Sequence, residues 1–217
     1  MTAASAVLWD LDGVLVDSTR YHYEAYREML AECGREIDFE EFRNLIGLRN
    51  EAILRRLFGE LPAEEVERLS GRKEELFRER IAGNVEALPG AANLVRRLQR
   101  AGVPMAIVSS TPRANIDLIL LSLGLGDAFS AIVGAEDARR GKPDPEGFLV
   151  AAERLAVAPA DCVVLEDAPE GIKGAKAAGM RCIGVATTRP PERLRRADLV
   201  VESLDDRRVE AFLLGSG

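Results

Sequence analysis

The 217-residue chain is 47% hydrophobic and 30% charged, enough apolar material for a large core under a charged, soluble surface, with room for one domain plus a sizeable insertion. Its 36 acidic and 29 basic residues leave a net charge of -7, and no Lys/Arg block with interleaved aromatics breaks that balance, which disfavours nonspecific nucleic-acid binding. No apolar run is long enough to span a membrane, and Met1-Thr2-Ala3-Ala4-Ser5 carries no basic region followed by an apolar signal core, so a cytoplasmic protein without a membrane partner is expected.

Ala6 to Trp9 predicts a central strand that runs straight into Asp10, Leu11, Asp12 and Gly13. In an open α/β sheet the ligand site lies beyond the carboxyl ends of the strands, which is where this acidic pair falls. Residues two apart share a side, so both carboxylates can face one ligand while Leu11 packs the other way. One is then a candidate nucleophile and the other a proton carrier. An EF-hand loop does not fit, because its glycine belongs at position 6 and Gly13 arrives at position 4.

From Ser18 to Leu88 the pattern is helical. Ser18, His22, Tyr26, Met29 and Cys33 share one face by three- and four-residue spacing, and His22, the chain's one histidine, reads equally as a satisfied semi-buried side chain. Lys73 interrupts an apolar stripe between Leu69 and Phe77, to snorkel to solvent or to point into a cleft. Pro89-Gly90 marks the junction to alternating elements: helix Ala91 to Arg100, strand Val103 to Ser109, helix Asn115 to Leu123, strand Ala131 to Gly134, helix Pro145 to Leu155, strand Cys162 to Leu165, helix Glu170 to Ala178 and strand Arg181 to Val185. A short strand, Asp198 to Val201, and a helix, Leu204 to Leu214, close the chain. The alternation predicts an α/β fold, a doubly wound, Rossmann-like parallel sheet of residues 1–17 and 89–217, with a helical domain inserted at 18–88.

Several residues have structural readings beside functional ones. Ser109 fits an ST-turn at a strand end. Lys142 fits an exposed turn, since Asp144 as N-cap and Pro145 as first helical residue explain its neighbours but not the lysine. Glu166-Asp167 fits a helix cap. Gly171, Gly174 and Gly179 match neither G-x-G-x-x-G nor a P-loop, and Gly179 reads as a helix C-terminal glycine. Cys33, Cys162 and Cys182 lack metal-site spacing and read as small buried hydrophobes in a reducing compartment.

Four stretches taken together resemble the motifs of the haloacid dehalogenase-like hydrolase superfamily, in the family's order: Asp10-Leu11-Asp12-Gly13-Val14-Leu15-Val16-Asp17-Ser18, Ala106-Ile107-Val108-Ser109-Ser110, Gly141-Lys142-Pro143-Asp144-Pro145 and Val164-Leu165-Glu166-Asp167-Ala168-Pro169. The resemblance implies phosphoryl transfer through an aspartyl-phosphate: Asp10 as nucleophile, Asp12 as acid and base, Ser109, Ser110 and Lys142 binding the phosphoryl group, with Lys142 also holding Asp10 ionised. It implies Mg2+ held by Asp10, Asp167 and the backbone carbonyl of Asp12, with Glu166 beside or on the ion. The second carboxylate, Asp12, counts against the dehalogenase branch.

The insertion matches the family's small helical cap, which selects the leaving group and excludes water. Tyr21-His22-Tyr23 and Arg72-Lys73 resemble the β-phosphoglucomutase-like subgroup, which makes His22, Arg49 and Lys73 cap-side substrate-binding candidates. Gly47-Leu48-Arg49-Asn50-Glu51 sets its arginine one position earlier than the mutases' Gly-x-x-Arg-Glu. The expectation is therefore a monomeric phosphatase acting on a small phosphorylated metabolite, first a sugar phosphate. The alternatives are a β-phosphoglucomutase-type mutase, a phosphoglycolate phosphatase and a catalytically silent binding protein.

Overall fold

The computed structural model describes residues 3–215; Met1 and Thr2 of the N-terminal stretch considered above lie outside them. In chain order the elements are β1 (Ala6–Trp9), α1 (Thr19–Glu32), α2 (Phe39–Arg43), α3 (Asn50–Phe58), α4 (Ala63–Ile81), α5 (Ala91–Arg100), β2 (Met105–Val108), α6 (Arg113–Ser122), β3 (Ala131–Val133), α7 (Glu146–Arg154), β4 (Cys162–Glu166), α8 (Pro169–Ala177), β5 (Arg181–Val185), β6 (Leu199–Val201) and α9 (Arg207–Leu214). None of these helices is long and apolar enough to cross a membrane.

The chain divides into two compact units, Met1–Asp17 with Glu86–Gly217, and Ser18–Val85. In the first, six parallel strands pair in the order β3-β2-β1-β4-β5-β6. β1 lies centrally, with Leu8 opposite Ala106 on one side and Val164 on the other. The chain works outward from β1 to β3, then returns to β4 on the far side, so the topological switch point lies at the carboxyl ends of β1 and β4. Alternation sends Ala6, Leu8, Ala106, Val108, Cys162, Val164 and Cys182 to one face, where they form a core with Phe148 and Ala151 of α7 and Ile172 and Ala175 of α8. Cys162 and Cys182 are thus buried small hydrophobes, whereas Cys33 is half-buried at the end of α1.

The helical pattern assigned to 18–88 stops at Ile81. Residues 86–88 belong with the sheet: Ala87 bridges Val16, and the Leu88 N–H donates to the Leu15 carbonyl. The helix expected from Pro145 starts at Glu146, and the Asp144 carboxylate does accept from the Glu146 N–H at 3.0 Å. Gly179 sits two residues beyond α8 with φ 76°; its N–H donates to Lys176 and that of Met180 to Ala175, the paired bonds of a Schellman end.

In the second unit α1 packs along α4. Lys73 does not snorkel. Only 2% exposed, its Nζ lies 2.9 Å from Glu74 Oε1 and 2.8 Å from His22 Nδ1, over the rings of Tyr26 and Phe77. Glu74 also accepts from Asn50 Nδ2 at 2.7 Å, Asn50 Oδ1 accepts from the Tyr26 hydroxyl, and the His22 ring stacks on Phe77. Burial pushes the Glu74 carboxyl up, but Lys73 and His22 outweigh it and hold it below the ordinary range. Removing one partner of a buried pair strands the other charge, so Lys73→Ala is expected to cost about 3–5 kcal/mol in urea unfolding. Lys73→Ala with Glu74→Gln should recover part of that loss. A Lys73→Ala loss below about 1 kcal/mol, the scale of an exposed pair, would contradict the burial of this network.

Candidate active site

Asp10 follows β1 directly, and its N–H donates to the Leu165 carbonyl of β4 at 3.0 Å, which pins the acidic turn across the switch point. Gly13 then reverses the chain with φ 87°, its N–H on the Val16 carbonyl. A Cβ at this position would collide with the Asp167 carboxylate, so glycine here serves both the turn and the close approach of the fourth motif to the first.

The two carboxylates of the first motif have different surroundings. Asp10 is buried, and its Oδ1 accepts from Lys142 Nζ at 2.5 Å. Asp12 is half-buried, and its Oδ2 accepts from the Thr111 hydroxyl at 2.8 Å. Lys142 reaches Glu166 Oε1 as well, at 2.6 Å, over the Phe148 ring; with a side chain only 14% exposed, it is not a solvated turn lysine. Burial alone would push the Lys142 ammonium down, but Asp10 and Glu166 outweigh it and keep it charged.

Glu166 ends β4 and is buried, its other oxygen accepting from the Ala168 N–H at 3.0 Å. Its carboxylate thus holds the Ala168 N–H just before α8 with one oxygen and Lys142 with the other, while α8 has no side-chain cap hydrogen bond. A Cβ on Gly171 would collide with this carboxylate, so the first turn of α8 is a cradle for Glu166. Asp167 is buried beside it and accepts from the Thr188 hydroxyl. Burial and the neighbouring Glu166 charge push the Asp167 carboxyl up to about 7. Burial raises that of Asp10 as well, against the pull of Lys142. Carboxylate oxygens of Asp10, Glu166 and Asp167 lie within 4.8 Å of one another, the one such acidic cluster found among the described residues. The Asp12 side chain is outside it.

Ser109 leaves β2 with its N–H on the Val133 carbonyl, and its Oγ accepts from the Thr111 N–H at 3.0 Å. The ST-turn is therefore real, and it occurs in a buried hydroxyl at the same sheet edge. Ser110 follows, half-buried. In the helical unit His22 and Lys73 meet, while Arg49 stands at the N-cap of α3. The sequence does not single out Thr111, Thr187 or Thr188, and it shows Gly171 only as part of no phosphate-loop motif. Thr111 had one signal, its place two residues past Ser109. Thr187, whose hydroxyl donates to the Gly13 carbonyl, had none.

Buried carboxylates, a lysine and a hydroxyl are thus gathered at the ends of the central strands of a doubly wound parallel sheet. Residues 4–179 match the family model for haloacid dehalogenase-like hydrolases, and the chain belongs to this family of enzymes. Among its relatives, validoxylamine A 7'-phosphate phosphatase of Streptomyces hygroscopicus subsp. limoneus is 34% identical over 92% of this chain and 93% of its own length. The β-phosphoglucomutase of Bacillus subtilis is 34% identical over 94% and 92%. A crystal structure of β-phosphoglucomutase from Clostridium difficile superposes with a TM-score of 0.84 at 31% identity, covering 95% of this chain and 94% of that one.

Proposed function

We propose that the protein is a magnesium-dependent phosphatase that releases phosphate from a small phosphorylated metabolite, first a sugar phosphate, through an aspartyl-phosphate on Asp10. The observation that carries this reading is the separation of two neighbouring carboxylates, Asp10 bound to Lys142 in the acidic cluster and Asp12 outside it on Thr111. Environments this different suit two roles. Asp10 attacks phosphorus as the ester P–O bond breaks, and Asp12 gives its proton to the leaving oxygen. Asp12 then takes a proton from water, whose oxygen attacks phosphorus and frees Asp10. Ser109 and Ser110 donate to phosphoryl oxygens, and Lys142 offsets the transferring charge.

Three clustered carboxylates against one ammonium form an all-oxygen donor set with charge to spare, which fits a hard divalent cation held by Asp10, Asp167 and the Asp12 carbonyl with Glu166 alongside. Bound there, magnesium would supply charge neutralisation for an approaching phosphate dianion. To the helical unit, as a cap, we assign the choice of leaving group through His22, Arg49 and Lys73. A mutase of the β-phosphoglucomutase type is the second reading, favoured by the 34% identity to that enzyme across nearly the whole chain.

The test is phosphate release from phosphorylated sugars, glycolytic intermediates, phosphoglycolate and nucleotides, with magnesium and with chelator, alongside conversion of β-glucose 1-phosphate to glucose 6-phosphate. Magnesium-dependent release supports the phosphatase. Isomer conversion without net release replaces it with the mutase, and silence throughout removes both.

Chelated protein should lose stability as pH rises. The unfolded Asp167 carboxyl deprotonates near its ordinary value of about 4, while the folded one keeps its proton to about 7. Between those values the folded state binds more protons, so unfolding free energy falls with increasing pH. Thermal melts in chelator should therefore drop from about pH 4.5 to about pH 7.5, and magnesium should raise the midpoint more at the higher pH. A flat chelator profile would contradict the burial of Asp167 beside Glu166.

A further inference from the structure

Asp12 has to present one oxygen to the ester and later to water, and a carboxylate on a half-buried turn gains that precision only from what holds it. Its Oδ2 accepts from the Thr111 hydroxyl at 2.8 Å. Thr111 is itself fixed on both backbone sides: its N–H donates to Ser109 Oγ at 3.0 Å, and its carbonyl accepts from the Ala135 N–H at 3.0 Å. It is buried, and as a β-branched residue it has few side-chain rotamers. Gly134 keeps the space beside it, since a Cβ there would crowd the Thr111 carbonyl at 3.2 Å.

We infer that Thr111 is the positioning residue of the acid–base carboxylate, aiming Asp12 at the leaving oxygen from the rigid exit of β2. The inference rests on the phosphatase reading above. Held in this way, Asp12 passes its proton to the ester oxygen as the P–O bond breaks and the bond from Asp10 to phosphorus forms. Ser109 and Thr111 then act as one device, the first orienting the second while facing the phosphoryl group.

Positioning of a proton donor can be told from packing by its dependence on the leaving group. A phenolate that leaves readily needs little protonation, whereas an alkoxide needs it fully. The test uses kcat/KM, which reads the steps up to ester cleavage, on 2,4-dinitrophenyl phosphate, 4-nitrophenyl phosphate, phenyl phosphate and glycerol 2-phosphate. Thr111→Val keeps shape and removes the hydroxyl. Its loss should grow along that series, from about twofold or less to on the order of a hundredfold, the scale of general acid catalysis. Thr111→Ser should restore most of it, and in an Asp12→Asn background Thr111→Val should add no further leaving-group dependence. An equal loss on every substrate, no loss on any, or an undiminished effect in the Asp12→Asn background would overturn the assignment. Wild-type protein that hydrolyses none of the series in magnesium would remove the phosphatase reading and the assignment with it, whereas the other failures leave that reading standing.

Discussion

Asp10→Asn is expected to reduce phosphate release by at least about 10⁴-fold, the scale seen when a nucleophile is removed from a set of groups that act together. The amide keeps the size of the side chain and loses the attacking charge. The same variant should unfold at no lower temperature than the parent protein in chelator. Burial disfavours the charged form of Asp10, and Glu166 and Asp167 add to that, so neutralising it relieves repulsion inside the cluster even though Lys142 loses one partner. Purified protein assayed for phosphate release and melted in parallel checks both halves. Retained turnover would move the nucleophile elsewhere, and a large drop in melting temperature would show that Asp10 holds the fold together.

Lys142→Met should lose both activity and stability. Its ammonium lies 2.5 Å from Asp10 and 2.6 Å from Glu166, and its removal leaves buried carboxylates facing one another. Stranding charge of this kind costs about 3–5 kcal/mol, and deleting one charge aimed at the transferring group costs on the order of 10²–10³ in kcat. Adding Glu166→Gln should restore part of the stability and none of the turnover, which separates the two roles of the lysine. Lys142→Arg should not substitute, because a planar fork cannot take the place of a compact ammonium between two carboxylates. Urea unfolding and kcat/KM on 4-nitrophenyl phosphate measure these expectations; a stable, active Lys142→Met protein would mean that the ion pairs carry neither role.

The parts of the site that were legible in the sequence are those written locally. Each strand that feeds the site ends in a charge or a hydroxyl, and a buried apolar run meeting Asp10, Ser109 or Glu166 is a contradiction that only a sheet edge resolves. A parallel sheet with Ala6–Trp9 at its centre followed from the alternation of strands and helices, whereas the strand order did not. What stayed hidden depends on segments far apart in the chain. Thr111 meets Asp12 across 99 positions, and Thr188 meets Asp167 from the turn beyond β5, neither through any spacing a single segment displays. The stripe leaves Lys73 open between snorkelling to solvent and pointing into a cleft, because it shows the helix face but not the Glu74 and His22 waiting there. Residues 86–88 fall within the helical pattern assigned to 18–88, since their partners Leu15 and Val16 lie on the other side of the insertion. Helix starts moved by one residue where proline permits either reading, as at Pro145 and Pro169.

Glycine inside a helix costs roughly 1 kcal/mol against alanine, and α8 carries two, Gly171 and Gly174. A protein engineer seeking thermal robustness would replace such residues first. At Gly171 that route is closed, because the methyl group would occupy the volume of the Glu166 carboxylate. Gly71 in α4 has open space around its missing side chain and carries no such conflict. The rigidity of α8 is thus limited at Gly171 by the acid it shelters and at Gly174 by the Pro143 carbonyl, 3.2 Å from where a Cβ would sit, so hardening by this route begins elsewhere in the chain.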